Sequence, residues 1–171
     1  MAAKYAVPIA FVDSRGMGNG PSFQTQIDVA LKDSNDTLAL ILEDDYLISS
    51  ETLLVAYDAF CRCSHLVGLN PHFHPGCVCR QNVRRFCVVG GRVYGRVNNT
   101  CCTFFMPIEA MRRNERALRR YDGWEKGSIN QIWKRGLCLV PFGWTMAEHL
   151  HKQDLSPVFK KKRIDAGQES P

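Results

Sequence analysis

Short apolar runs alternate with longer amphipathic ones along this chain, the pattern required by a parallel or mixed sheet covered by helices. Residues 6–12 (AVPIAFV) predict a first strand. The turn-rich Gly16-Met17-Gly18-Asn19-Gly20-Pro21 follows, its three glycines relaxing the steric limits on φ. Phe23, Ile27, Ala30 and Leu31 then recur at helical spacing, predicting a helix capped by Ser22 and running to Lys32. Asp33-Ser34-Asn35-Asp36 break that helix. Thr37 to Leu42 form a continuous apolar run, expected as a central strand buried on both faces.

Further on, Leu53, Leu54, Tyr57 and Phe60 predict the apolar stripe of a helix from Ser50, its cap, to Cys61. Residues 65–80, rich in His, Pro, Gly and Cys, read as a strand plus irregular loop, and strands are expected near 86–89 and 101–106. Pro107 opens a helix to about Arg119. Asp122 caps another, from Gly123 to about Arg135, which Gly136 ends. LCLVPF is a short strand, Trp144 marks an aromatic turn, and a polar segment closes in LSPVF. The reading is one α/β domain over residues 1–158 and a basic, disordered tail over 159–171.

Composition narrows the class. At 171 residues, with 45% apolar and 23% charged, the chain suits one soluble domain, and no apolar run approaches the ~18–20 residues that cross a bilayer. The net charge of +5 owes four units to Lys160, Lys161, Lys162 and Arg163, so the body is nearly neutral and nucleic acid is not an expected partner. Eight cysteines without a secretory leader point to reduced thiols and a cytoplasmic location.

The most informative chemistry is LALILEDDYL. Three consecutive carboxylates, Glu43, Asp44 and Asp45, leave an apolar strand, which is costly unless a cation or strong donors compensate them. Extended backbone through the triplet would turn Glu43 and Asp45 to one side and Asp44 to the other. The carboxyl end of a strand is where open α/β sheets gather ligands. Hard oxygen donors suit Mg²⁺ or Mn²⁺, with diphosphate oxygens and water completing the coordination. The plainer alternative is an acidic, solvent-facing connection between strand and helix.

GNGPSF, LILEDDYL, NNTCCTFF, YDGW and EHLHKQDLSP, in that order over roughly residues 16–158, resemble small GT-A glycosyltransferases, including those that large algal viruses encode for capsid glycosylation. The resemblance implies a nucleotide-diphospho-sugar transferase fold with a mixed sheet flanked by helices. It also implies a nucleotide-sugar donor, a UDP-sugar first, and a glycan or glycoprotein acceptor. By the same resemblance Asp45 and His149 are metal ligands for Mn²⁺ or Mg²⁺, and Glu43, Asp44, Gly18 and Asn19 contact the donor. Asp122 is then the catalytic base, although Asp122-Gly-Trp-Glu125 also reads as a helix cap. GT-A domains place a further strand and helix before the Gly-Asn-Gly region, where this chain has about 15 residues. The expectation is therefore a domain truncated at its amino end.

Other readings stay open. Trp124 and Trp144 stack on a sugar or pack at the rim, Asn98, Asn99 and Thr100 bind an acceptor or satisfy a strand entry, and Arg92 and Arg96 approach phosphate or lie solvated on a strand. Cys61, Cys63, His65, His72, His74, Cys77 and Cys79 fall within 19 residues, enough ligands for zinc but at no standard finger spacing. That cluster, with the scattered arginines, supports the alternative of a zinc- or nucleic-acid-binding module. An inactive partner subunit of the same fold is the third reading.

Overall fold

The computed structural model describes residues 13, 19–32, 37–43, 46–72, 83, 85–98, 103–120 and 129–149, with Asn19, Ile129, Asn130 and His149 described through their backbone. The expected strand at 6–12 and the tail at 159–171 lie outside the described residues. Helix α1 (Asn19–Lys32) leads to strands β1 (Leu38–Ile41) and β2 (Tyr46–Ile48), then α2 (Ser50–Arg62) and β3 (Leu66–Leu69). Strands β4 (Arg85–Val89), β5 (Arg92–Val97) and β6 (Phe104–Pro107) follow. Three short helices, α3 (Ile108–Arg113), α4 (Glu115–Arg119) and α5 (Ile129–Arg135), precede β7 (Leu137–Pro141) and β8 (Ala147–His149).

Among the described residues six strands form one mixed sheet in the order β1-β6-β3-β7-β5-β4, and β2 pairs with β8 in a separate two-stranded ribbon. Within the sheet β3 and β7 are parallel, while the other neighbours are antiparallel. It follows that β1, β3 and β7 run the same way and end on one edge.

Alternation of side chains across the pleat splits the apolar residues into two cores. On one face Phe104 and Met106 of β6, Cys138 and Val140 of β7 and Val97 of β5 pack with Phe23 and Ile27 of α1, Met111 of α3, Leu118 of α4 and Trp133 of α5. On the other, Phe105, Leu69, Leu139 and Tyr94 pack under Val55, Ala56 and Ala59 of α2. The fold is thus an α/β arrangement of three layers, with α2 alone on one side among the described helices.

One contact sets the depth of the helical layer. A Cβ on Gly68 would lie 2.0 Å from Cζ3 of Trp133, so the indole rests directly on the β3 backbone. Phe104 meets the same ring edge-on at 5.2 Å. The pairing of β3 with β7 shifts register between Leu66 and Gly68, and Leu66 and Leu69, three apart, both enter the α2 core. That irregularity turns Gly68 toward Trp133.

Several expected elements differ. Helix α1 starts at Asn19 rather than after Ser22; Pro21 is accommodated because the first helical turn needs no N–H donor. Ser49, not Ser50, caps α2, through a box in which Thr52 N–H donates to Ser49 Oγ at 3.3 Å and Ser49 N–H to Thr52 Oγ1 at 3.2 Å. The buried stripe of α2 is Thr52, Val55, Ala56 and Ala59, while Leu54 and Tyr57 are exposed. The single helix expected from Pro107 to Arg119 is two, broken at Asn114, whose amide donates to Ala110 O at 2.8 Å. β1 does feed both cores, yet it ends the described sheet instead of lying in its centre. β5 carries Arg92 and Arg96, in keeping with the reading that places both on a strand, although its bounds and partner are not given by the residue pattern. It joins β4 through Gly90 and Gly91, with φ of 56° and 77°, the two-residue hairpin that only such residues make easily.

Packing against Gly68 predicts that Gly68→Ala lowers stability by about 3 kcal/mol in denaturant titration, and that trimming Trp133 in the same chain reduces the additional loss. Alkaline pH gives a second check. Burial pushes the Tyr94 phenol above its ordinary 10.0, outweighing the nearby Arg92 guanidinium, and burial followed by Cys63 raises the Cys87 thiol above its ordinary 9.0. Both groups hold their protons more tightly when folded. The stability they contribute is complete below pH 9 and is lost as pH rises through the folded values. Thermal melts across this range will show Tyr94→Phe with a shallower alkaline decline than wild type.

Candidate functional site

The carboxyl ends of β1, β3 and β7 carry the segments that make the candidate site. β1 ends at Ile41, and Glu43 follows half-buried, its N–H donating to Oγ1 of the buried Thr103 at 3.1 Å. The carbonyl of Glu43 accepts the Tyr46 N–H at 3.4 Å. The extended backbone expected through Asp44 and Asp45 lies outside the described residues, and regular structure resumes in β2 at Tyr46. This return aligns β2 antiparallel to β8, with Tyr46 opposite His149, Leu47 opposite Glu148 and Ile48 opposite Ala147.

Three anchors hold the ribbon. Thr52 Oγ1, already the acceptor in the α2 capping box, donates to the carbonyl of Met146. Met146 N–H donates to Pro71 O at 2.8 Å, just beyond β3. His72 approaches from the same side, with Nδ1 at 3.0 Å from Ala147 O and 3.1 Å from Thr145 Oγ1. Since the Ala147 carbonyl only accepts, that contact puts the proton on Nδ1. The His72 ring also meets Tyr46 edge-on at 6.0 Å. The amino end of α2, the carboxyl end of β3 and both strands of the ribbon thus meet beside the acidic segment.

Of the residues singled out in the sequence, Glu43 lies at the carboxyl edge, and His149 is joined through backbone pairing to the strand that follows the acids. Asn19 opens α1. Gly18, Asp44, Asp45 and Asp122 lie outside the described residues, as do Trp124, Asn99 and Thr100. Trp144 is committed to structure: its Nε1–H donates to Val93 O at 2.8 Å and its ring meets Tyr94 edge-on at 5.3 Å. Arg92 lies 5.8 Å from the centre of that ring and 3.9 Å from Glu51. Among the described residues no three His, Cys, Asp or Glu side chains gather as a metal site. Cys61 and His65 are exposed, His72 turns to β8, and His74, Cys77 and Cys79 lie outside the described residues.

Thr52 and His72 as anchors of the ribbon, and Thr103 as the acceptor for the Glu43 N–H, escaped sequence reasoning. For Thr52 a signal existed: Ser49-x-x-Thr52 is a capping box with Thr in the place of Glu. Comparison of the chain with family models, curated proteins and solved structures returned no match.

Removing the Thr52 hydroxyl leaves the buried Met146 carbonyl without its donor. Thr52→Val is expected to cost about 1–3 kcal/mol and, in hydrogen-exchange mass spectrometry, to deprotect residues 46–48 and 147–149 ahead of β6 and β7.

Proposed function

We propose that this chain is a metal-dependent glycosyltransferase of the GT-A type, moving a sugar from a nucleotide-diphosphate donor to a hydroxyl of a glycan or glycoprotein. The observation that carries the reading is the β2–β8 register, in which the acidic run enters a strand whose partner ends at His149. Two segments more than 100 residues apart in sequence, each carrying ligand-type residues, are neighbours at the carboxyl edge of the sheet. The mixed six-stranded sheet between helices supports the same fold class.

The donor set, carboxylates with one imidazole, fits a divalent ion of the Mn²⁺ or Mg²⁺ kind. Asp45 and His149 would hold it, and when bound it supplies positive charge against the departing nucleotide diphosphate. Glu43 and Asp44 contact the nucleotide, Glu43 on a backbone steadied by Thr103. Gly18 and Asn19 contact the donor, and α1, which opens at Asn19, offers first-turn backbone N–H groups that lack intrahelical acceptors. Asp122 receives the acceptor's hydroxyl proton as that oxygen bonds to the anomeric carbon and the sugar–diphosphate bond breaks, its electron pair leaving with the diphosphate. The free thiols of Cys61, Cys63, Cys87 and Cys138 support a cytoplasmic location. Among the described residues no helix is long and apolar enough to cross a membrane.

Calorimetric titration with UDP is the test. Binding is expected with Mn²⁺, and to be lost with a chelator, in Asp45→Ala and in His149→Ala. Asp122→Asn is expected to keep that binding while turnover of a UDP-sugar falls by roughly 10²–10⁴-fold. Absence of nucleotide binding under every metal condition would overturn the transferase reading.

A further inference from the structure

The opposite edge of the sheet holds a second, unrelated concentration of chemistry. Arg85 of β4 and Arg96 of β5 are direct register partners across the antiparallel hairpin. Like charges so placed destabilise a strand pair unless something negative lies between them. Both guanidinium-bearing side chains line one cavity of about 640 Å³, on the α2 side of the sheet, together with Arg62, Cys63, Cys87 and Leu137. Arg62 is already neutralised, its Nε lying 2.8 Å from both carboxylate oxygens of Asp58. Among the described residues no carboxylate forms an ion pair with Arg85 or Arg96.

From this arrangement we infer that the cavity binds a phosphorylated small molecule, its phosphate held between Arg85 and Arg96 and its organic part resting on Cys87 and Leu137. Two arginines on one face of a strand pair offer guanidinium forks to the several oxygens of one phosphate, which each can engage bidentately. The cavity volume suits a ligand of metabolite size, and its mixed lining offers an apolar floor beside the charges. A nucleic-acid strand would instead call for a basic track continuing beyond the two arginines. Beyond them on the α2 side the next register pairs are Cys87 with Tyr94 and Val89 with Arg92, and Arg92 is drawn to Trp144 and Glu51. β4 and β1 are the two ends of the described sheet, so this site stands apart from the acidic segment after β1 and does not depend on the transferase reading.

The test titrates the full chain with phenyl phosphate and with inorganic phosphate at fixed ionic strength, in EDTA so that no divalent ion contributes. Phenyl phosphate is expected to bind, more tightly than inorganic phosphate, and equally well to Asp45→Ala. Each arginine replaced by Gln should weaken it on the order of tenfold. Arg85→Lys with Arg96→Lys, which keeps the charge and the fold of the hairpin, should still bind but more weakly than wild type. Four results would overturn the inference: no binding above a chloride control, binding unchanged in the Gln variants, equal affinity for the two phosphates, or Arg85-dependent binding of a single-stranded oligonucleotide without binding of phenyl phosphate.

Discussion

The seating of Trp133 on Gly68 is the constraint around which the layers are organised. A helix bearing a Trp can lie close to a sheet only where the strand beneath offers no side chain, and β3 offers none at that point. The largest buried side chain among the described residues then fills the space between α5 and the sheet, with Phe104 against its edge. β3 meets this demand by breaking its own alternation, so Gly68 faces the indole while Leu66 and Leu69 both reach the α2 core. The two cores are thereby linked through one short strand, and a change at Gly68 is felt on both faces.

The candidate site follows from how that sheet ends. β1, β3 and β7 finish on the same edge, and each sends its following residues toward the β2–β8 ribbon: Glu43 after β1, Pro71 and His72 after β3, Met146 after β7. The ribbon itself is too short to persist alone, since an isolated pair of strands is marginal in water. Its alignment is supplied by Thr52 from α2 and by Pro71 and His72 from β3. A site built this way is stiff where backbone meets backbone, which is the requirement for holding a small cation between separate segments.

Much of this organisation can be read from residue pattern, and the exceptions have physical causes. The layered α/β class, the strand at LCLVP and the acids at a strand end follow from periodicity and apolar run length. The stripe of α2 follows in part: Leu53 and Phe60 pack against the core, Leu54 and Tyr57 are exposed, and Ala56 and Ala59, which carry little hydrophobicity, let the helix approach the sheet closely. β1 looks central because both its faces are covered, and coverage of faces says nothing about the number of strand neighbours. The β4–β5 hairpin was available in Val-Val-Gly-Gly-Arg-Val, where two adjacent glycines allow a tight turn. The pairing of β2 with β8 was out of reach, because three-residue strands carry almost no periodic signal and their register depends on distant anchors.

The central claim is that the acidic segment and the β8 strand share one divalent ion. Adding Mn²⁺ to ¹⁵N-labelled protein in the presence of UDP tests it most directly, because paramagnetic broadening falls off steeply with distance. The account predicts that the amide signals of Tyr46 to Ile48 and Ala147 to His149 disappear first, while those of Val88 to Val93 in the far hairpin persist. Broadening centred elsewhere, or none at all, would contradict it.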